Sequence, residues 1–226
     1  NGQKSGVYTL YSDATANVRG AIMNNAIAID CGSSTAYGIY NSYSSYQDFA
    51  HNSVSVNTTS TSALAARFYY SSTAYRNNNI INNAFSNVTG DGYTMYVYNA
   101  NASYNNNWDY NNIHSGNGKA VQVGTPANTY ATLTAWVNAY GYDKHSISYD
   151  PGFISITNVR PDVNNPAAWS LNGRALHNSV GNTDHNGNNR VTLRADGVPD
   201  IGAFEFTPET MPPLAKATPD SVSPGD

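Results

Sequence analysis

Between residues 37 and 124 apolar and polar positions alternate in short runs, and the runs recur. Tyr37-Gly38-Ile39-Tyr40-Asn41 returns as Ala66-Arg67-Phe68-Tyr69-Tyr70, then as Met95-Tyr96-Val97-Tyr98-Asn99, and last as Ala120-Val121-Gln122-Val123-Gly124. Aligned on Ile39, Phe68, Val97 and Val121, the phrases step by 29, 29 and 24 residues. A second phrase, led by Phe49, Tyr75 and Tyr104, runs out of phase with the first in steps of 26 and 29 residues. Alternation with period two is the mark of a half-buried strand. Two interleaved strand phrases per period, both recurring, describe one coil of a solenoid with more than one strand per turn. A single coil cannot bury its inward side chains, whereas coils stacked at the ~4.8 Å strand spacing bury them against one another.

Between the phrases lie Ser, Thr, Asn and Gly clusters, such as Ser71-Ser72-Thr73 and Thr89-Gly90-Asp91-Gly92, which read as turns. Asparagines come in runs at residues 77–79, 82–83, 105–107 and 111–112. Asn tolerates left-handed turn geometry, and equivalent Asn residues on successive coils can form amide ladders. Leucine is too scarce for a leucine-rich repeat, and no helical face runs through the region. The expected fold is an all-β, right-handed parallel β-helix.

The flanks extend the picture. Val7–Tyr11 and residues 20–29 also alternate, so coils are expected to begin at or before the first residue, with no amphipathic cap helix ahead of them. Solenoid ends need a polar cap, so further coils or a partner are expected ahead of residue 1. Beyond Pro126, Leu133, Trp136, Val137 and Tyr140 fall at helical spacing, with Gly141 where a helix would stop. Residues 142–154 read as two brief strands around the Pro151-Gly152 turn. Residues 158–189 read as loops with a short apolar piece at Ala168-Trp169-Ser170-Leu171, and the fold is expected to close with residues 198–206. Residues 207–226 carry five prolines and almost no large apolar side chain. The domain organisation is therefore 1–206 for the β-helix and 207–226 for a stiff linker to a following domain.

Composition narrows the chemistry. Only 12% of residues are charged while tyrosine numbers 18, so the surface must be largely Asn, Ser, Thr and Tyr. A net charge of −4 argues against nucleic acid as partner, because phosphate binding needs a clustered basic face. It argues mildly against a highly anionic polysaccharide as well. The single cysteine, Cys31, excludes an intrachain disulfide and is expected to be a small buried residue. No apolar run is long enough to cross a bilayer.

The C-terminal third carries a motif set: the helix, Gly141-Tyr142-Asp143-Lys144-His145-Ser146-Ile147, Asp150-Pro151-Gly152-Phe153, the Asn/Asp-rich stretch of residues 182–190, and Pro199-Asp200-Ile201-Gly202-Ala203-Phe204-Glu205. Together these resemble the ending of the pectate-lyase-like right-handed β-helix exoproteins of bacteria often labelled choice-of-anchor Q. The resemblance spans residues 132–206; the remainder is similar only through generic coils. It implies secretion, frequently by bacteria that glide on or feed on surfaces and export by the type IX route. It also implies a multidomain cell-surface protein, but no particular reaction.

Catalytic patterns are weak. The titratable residues of the coils, Asp48, His51, Arg67, Arg76, Asp91, Asp109, His114 and Lys119, are scattered singly, with no Asp-x-Asp pair. The paired acids of an inverting hydrolase and the acid-held calcium with basic residue of a lyase are not recognisable, so no catalytic residue is assigned. A divergent lyase or hydrolase of the same superfamily is the first alternative, and a purely structural spacer or cargo module the second. Asp184, Asp196 and Asp200 are weak calcium candidates, and no other cofactor is expected. Asn57, Asn87 and Asn101 begin N-glycosylation patterns by chance in an Asn-rich chain, and Asp220-Ser221-Val222 resembles a short bacterial O-glycosylation signal. The strongest binding candidate is a tyrosine row. If Ile39, Phe68 and Val97 point inward, Tyr40, Tyr69 and Tyr98 point outward in one line, flanked by Tyr96, Tyr70 and Tyr43. Exposed aromatic faces beside Asn and Ser suit a sugar ring, although stacked tyrosines also stabilise a sheet without any ligand. The expectation is a secreted or surface-displayed, non-catalytic module of a larger adhesin-like protein. Its partners would be a glycan, further domains of the same polypeptide and export machinery.

Overall fold

The computed structural model describes residues 2–70, 76–88, 91–124, 128–177 and 180–212. The chain winds into a parallel β-solenoid of about four turns, the right-handed parallel β-helix expected from the sequence. The first turn holds β1 (Lys4–Leu10), β2 (Gly20–Met23) and β3 (Ala26–Asp30); the second holds β4 (Ala36–Ser42), β5 (Gln47–Ala50) and β6 (Ser53–Asn57). The third holds β7 (Leu64–Tyr69), β8 (Asn79–Ile81) and β9 (Ala84–Asn87), and the fourth β10 (Met95–Val97), β11 (Asn107–Asp109) and β12 (Asn112–Ser115). β13 (Val121–Val123) adds one more rung, and β14 (Asn128–Tyr130) turns back antiparallel beside it. Three walls result: β1-β4-β7-β10-β13-β14, β2-β5-β8-β11 and β3-β6-β9-β12.

The register differs from the sequence alignment. Ile39 pairs with Ala66, and Phe68 with Asn41 below it and Val97 above it, while Val97 pairs with Val123 rather than Val121. In the second wall Ile22, Phe49, Ile80 and Trp108 stack, not Phe49, Tyr75 and Tyr104. Tyr75 lies outside the described residues, as do Ser71-Ser72-Thr73, Thr89-Gly90 and the tail from residue 213. Tyr104 sits in a 3-10 turn with its ring buried. Residues 20–29, expected as one run, are broken by left-handed Asn24 into β2 and β3.

That break is the device that turns every coil. Asn24, His51, Asn82 and Tyr110 all take positive φ between the second and third walls. Each is followed by an asparagine of a buried ladder. Asn25 gives its backbone N–H and Nδ2 to Asn52 Oδ1, Asn52 gives both to Asn83 Oδ1, and Asn83 gives both to Asn111 Oδ1, at 2.8–3.1 Å. A second, shorter ladder links the Gln47 N–H to Asn78 Oδ1 and the Asn78 N–H to Asn106 Oδ1, both 2.9 Å. The corners satisfy inside the protein the backbone groups that a sharp turn would otherwise orphan.

Between the walls Ile39, Phe49, Val54, Phe68, Ile80, Phe85, Val97, Trp108 and Ile113 make one continuous core. Phe68 meets Phe49 and Trp108 edge-on, at 5.3 and 4.8 Å between centroids, a favoured geometry for aromatic pairs. The far end of this core is closed by α1 (Leu133–Tyr140), as its apolar spacing predicts. Thr132 caps the helix on the Ala135 N–H, and Gly141 at φ 74° ends it. Trp136 is fully buried against the top coil, and its Nε1 donates to Asp143 Oδ2 at 2.9 Å. Asn111 Nδ2 and Ser146 Oγ donate to the other oxygen of Asp143, so the asparagine ladder terminates on this carboxylate. Burial raises the Asp143 pKa, and these hydrogen bonds oppose the rise.

The remaining chain folds back over the outside of the third wall and its corner with the second. The expected strand pair around Pro151-Gly152 is instead a hairpin after that turn, β15 (Phe153–Ser155) with β16 (Asn158–Pro161). Ile147 only bridges to Asn112, in parallel. Ala168 and Leu171 fall at a 3-10 turn, Pro166–Ser170 and its cap, and are fully buried. Leu171, Ala175 and Ile201 pack on Ala84, and the Asn82 side chain exchanges hydrogen bonds with both Leu176 backbone groups, at 2.8 and 2.9 Å. Residues 198–206 run without regular strand, and the chain stays on the body beyond them: the Glu209 N–H donates to the Val163 carbonyl and Trp169 Nε1 to Thr210, in the stretch expected as linker. Cys31 is half-buried after β3, its Sγ near the Ser34 carbonyl, rather than fully buried within the strand.

Candidate functional site

With the folded-back C-terminal chain, a strap over the third wall, lying elsewhere, the outer face of the first wall is where the tyrosines gather. The register sorts them into two rows. Along one row run Tyr8, Tyr40, Arg67, Tyr96 and Gln122, each on the next rung. The other runs through Leu10, Ser42 and Tyr69 to Tyr98, whose N–H donates to the Phe68 carbonyl on the rung below. The expected single line of Tyr40, Tyr69 and Tyr98 is therefore corrected. Tyr69 and Tyr98 share a row, and Tyr40 stands in the neighbouring one, because β7 is set two residues further along than the apolar alignment placed it. All three still face outward on the same wall.

Rings touch within and beside each row. Tyr11 stacks on Tyr43 at 5.2 Å, Tyr43 meets Tyr69 edge-on at 5.4 Å, and Tyr69 lies 4.5 Å from Tyr98. Tyr8 stacks on Tyr40 at 4.8 Å, and Tyr40 meets Tyr37 edge-on at 5.3 Å. Tyr8 and Tyr11 are 51% and 60% exposed; Tyr40, Tyr43, Tyr69, Tyr93 and Tyr98 are half-buried, and Tyr37 and Tyr96 are covered by their neighbours. The hydrogen bond with Tyr43 leads the causes that raise the Tyr69 pKa, ahead of burial and the neighbouring phenols. Tyr70 does not belong to the wall. It is fully buried in the core beside Tyr104, and its hydroxyl accepts from Asn106 Nδ2 at 3.0 Å. Burial pushes its phenol well above the usual range.

Arg67 joins the two rows. Its guanidinium carbon lies 5.0, 4.6, 5.3 and 5.4 Å from the ring centroids of Tyr37, Tyr40, Tyr69 and Tyr96. Nη1 donates to the Tyr37 hydroxyl at 2.9 Å, while Nε is buried without an acceptor. Aromatic faces attract a cation through their quadrupoles, by ~0.5–2 kcal/mol each depending on desolvation. No Asp or Glu occurs in any of the six strands of this wall, and Lys4 is their other charged residue. Sequence reasoning included Arg67 only among dispersed titratable groups. Its place in a tyrosine-rich phrase was visible, but its role depends on the register.

The other titratable groups are held singly or in internal struts. Asp48 pairs with Arg19 at 2.7 Å and accepts from Asn79. Asp109 meets His145 Nδ1 at 2.7 Å, beside the stacked Tyr110 ring. His114 Nδ1 contacts Ser86 Oγ at 3.0 Å, and its pKa is lowered by burial. Lys119 Nζ donates to the Asp91 carbonyl. His51 is buried with Nε2 on Asn82, and desolvation, followed by the charge of Arg190, lowers its pKa to about 3.

Of the calcium candidates, Asp184 and Asp200 enter one network and Asp196 stands apart on an exposed 3-10 turn. Asp184 accepts from the N–H groups of Asn186, Asn188 and Glu205 and from Asn188 Nδ2. Burial works to raise its pKa, and these hydrogen bonds outweigh that and lower it. Asp200 accepts from the Gly173 and Phe206 N–H groups. Burial, then the neighbouring Glu205 carboxylate, raises it to about 7. Arg190 pairs with Glu205 and donates to Asn24 Oδ1 and the Gly202 carbonyl, fastening the strap to the corner of the first coil. Among the described residues no group of three or more His, Cys, Asp or Glu could hold a metal ion.

The fold thus defines a β-solenoid protein of the parallel β-helix type, with one wall lined by tyrosine. No family model matches the chain, and no curated protein or solved structure matches it either.

Proposed function

We propose that this chain is a non-catalytic glycan-binding module, a stiff β-helix within a larger adhesin-like protein that is secreted or displayed at a cell surface. The observation that carries this reading is the set of ring contacts on the first wall, Tyr8-Tyr40-Tyr37 and Tyr11-Tyr43-Tyr69-Tyr98, gathered around Arg67 with no carboxylate in the wall's strands. A face of contacting tyrosines presents a broad, rigid, amphipathic surface of the kind that stacks on sugar rings while hydroxyls and amides at its edge meet the sugar hydroxyls. Contiguous aromatic surface of this extent marks interaction sites on soluble proteins.

The test is retention on a panel of purified polysaccharides by affinity electrophoresis. The wild-type chain is expected to be retarded by at least one polymer, and Tyr69→Ala to lose that retardation while keeping its melting temperature within a few degrees. New unsaturated or reducing ends in the mixtures would replace this reading with a lyase or a hydrolase. Absence of both binding and products would leave a structural spacer.

A further inference from the structure

We infer that Arg67 reads a single negative charge on the sugar chain, so that the preferred ligand is a sparsely anionic glycan: one carboxylate- or sulfate-bearing residue flanked by neutral ones. The inference rests on the glycan-binding reading of the tyrosine wall and deepens it.

The guanidinium is the centre of the wall in both directions. Along its own row it has Tyr40 and then Tyr8 on one side, and Tyr96 and then Gln122 on the other. Across the rows it has Tyr37 and Tyr69. Rungs rise by ~4.8 Å, so a ligand lying along the solenoid axis meets neutral rings, then a charge, then neutral groups again. Arg19 and Arg190, in contrast, each meet a carboxylate of the chain itself. Among the described residues Arg67 meets π faces and the Tyr37 hydroxyl, and no carboxylate. Its charge is attracted and oriented by the cage but not neutralised, since the six strands carry no acid.

The fork is also restricted. Nε is shut away from solvent and one hydrogen of Nη1 is held by Tyr37, which leaves the Nη1–Nη2 end for an incoming oxyanion. Charge-assisted hydrogen bonds from guanidinium to carboxylate or sulfate oxygens are stronger than neutral ones, and more so where rings keep water off the flanks. A densely charged polymer is disfavoured. Its other anions would have only Lys4 to meet on this wall, and the chain as a whole carries a net charge of −4. A nucleic acid meets the same obstacle at every phosphate.

The experiment is an oligosaccharide array in matched sets, each neutral sequence printed beside derivatives bearing one carboxylate or one sulfate ester on an inner sugar. Hits are followed by calorimetric titration. Singly charged members are expected to bind about tenfold or more tightly than their neutral partners. That advantage should shrink as salt rises from roughly 50 to 500 mM, and should vanish in Arg67→Gln, where charged and neutral partners should bind alike whatever affinity they then share. Arg67→Lys, which retains the charge without the planar fork, should keep part of it and serves where Arg67→Gln melts early. The better of the carboxylate and sulfate arms identifies the anionic group. Equal affinity within the matched sets, or an advantage that survives Arg67→Gln, overturns the role of Arg67 but leaves the tyrosine wall standing. Binding to no member of the array overturns the wall reading itself.

Discussion

Replacing Asn83 by alanine removes the middle step of the longer ladder, and the structure sets the size of the loss. Asn83 Oδ1 accepts both the backbone N–H and the Nδ2 of Asn52, at 3.0 and 2.9 Å. Its Nδ2 donates to Asn111 Oδ1 and to the Phe49 and Ile81 carbonyls, at 2.9–3.0 Å. Asn52, Asn83 and Asn111 are all essentially inaccessible to water. The truncation therefore strands the Asn52 backbone N–H and one of its Nδ2 hydrogens, the other still donating to the Ile22 carbonyl, and a buried group left without its partner costs ~1–3 kcal/mol. Allowing for relaxation, the expected destabilisation is about 3 kcal/mol, a drop of roughly 1 M in the urea midpoint at a typical denaturant slope. Chemical denaturation followed by circular dichroism reads it, with Asn107→Ala as the control. Asn107 is exposed on β11, one position beyond its own ladder residue, and its truncation should move stability by no more than ~0.5 kcal/mol. Equal midpoints for the two variants would refute the view that buried amides, rather than strand pairing alone, hold the coils in register.

Two further outcomes follow from the same geometry. Asp200 titrates near 7 in the folded state against ~3.9 unfolded, so its contribution is complete below ~4 and lost as pH rises through 7. The His51 pKa, depressed to about 3, acts in the opposite sense below ~6.5. Between pH 8 and 6.5 Asp200 contributes about 0.8 kcal/mol and His51, half-protonated in the unfolded chain at 6.5, offsets about 0.4, so stability should rise by about 0.4 kcal/mol on acidification, a rise that Asp200→Asn turns into a small fall in urea titrations at the two pH values. Tyr70→Phe deprives buried Asn106 Nδ2 of its acceptor and should cost ~1–2 kcal/mol by thermal melting, with no change in glycan retention because the ring lies in the core.

The solenoid was legible in the sequence because its period is written in residue types that stacking requires, and α1 because Leu133, Trp136 and Gly141 mark its buried face and its end. The asparagine runs also announced ladders, which the corners at Asn82-Asn83 and Tyr110-Asn111 bear out. What escaped was register. The pattern of Leu64, Ala65 and Ala66 is apolar without alternation, so Phe68, the bulkiest side chain, drew the alignment two residues away from the true partner of Ile39. That slip of two preserves which face a side chain takes. It explains why the tyrosines were placed on the correct wall but in the wrong rows, and why Arg67 went unrecognised at their centre. Tyr70 escaped for a different reason. β7 ends at Tyr69, and beyond a strand's end alternation no longer dictates direction. The network of Asp184, Arg190, Asp200 and Glu205 depends on contacts such as Arg190 to Asn24, across nearly the whole chain, which no local pattern encodes.

Everything proposed for the tyrosine wall depends on Arg67 standing one rung above Tyr40. Engineered cysteine pairs measure that directly, in a Cys31→Ser background. Partners on adjacent parallel strands lie ~4.8 Å apart, inside the range that a disulfide bridges, whereas a pair offset by two residues lies at roughly 8 Å, outside it. The Tyr40→Cys/Arg67→Cys chain is predicted to form an intramolecular disulfide under mild oxidation, and the Tyr40→Cys/Tyr69→Cys chain to remain reduced. Closure of the second pair in place of the first would contradict the register, and with it the two rows and the cage at their centre.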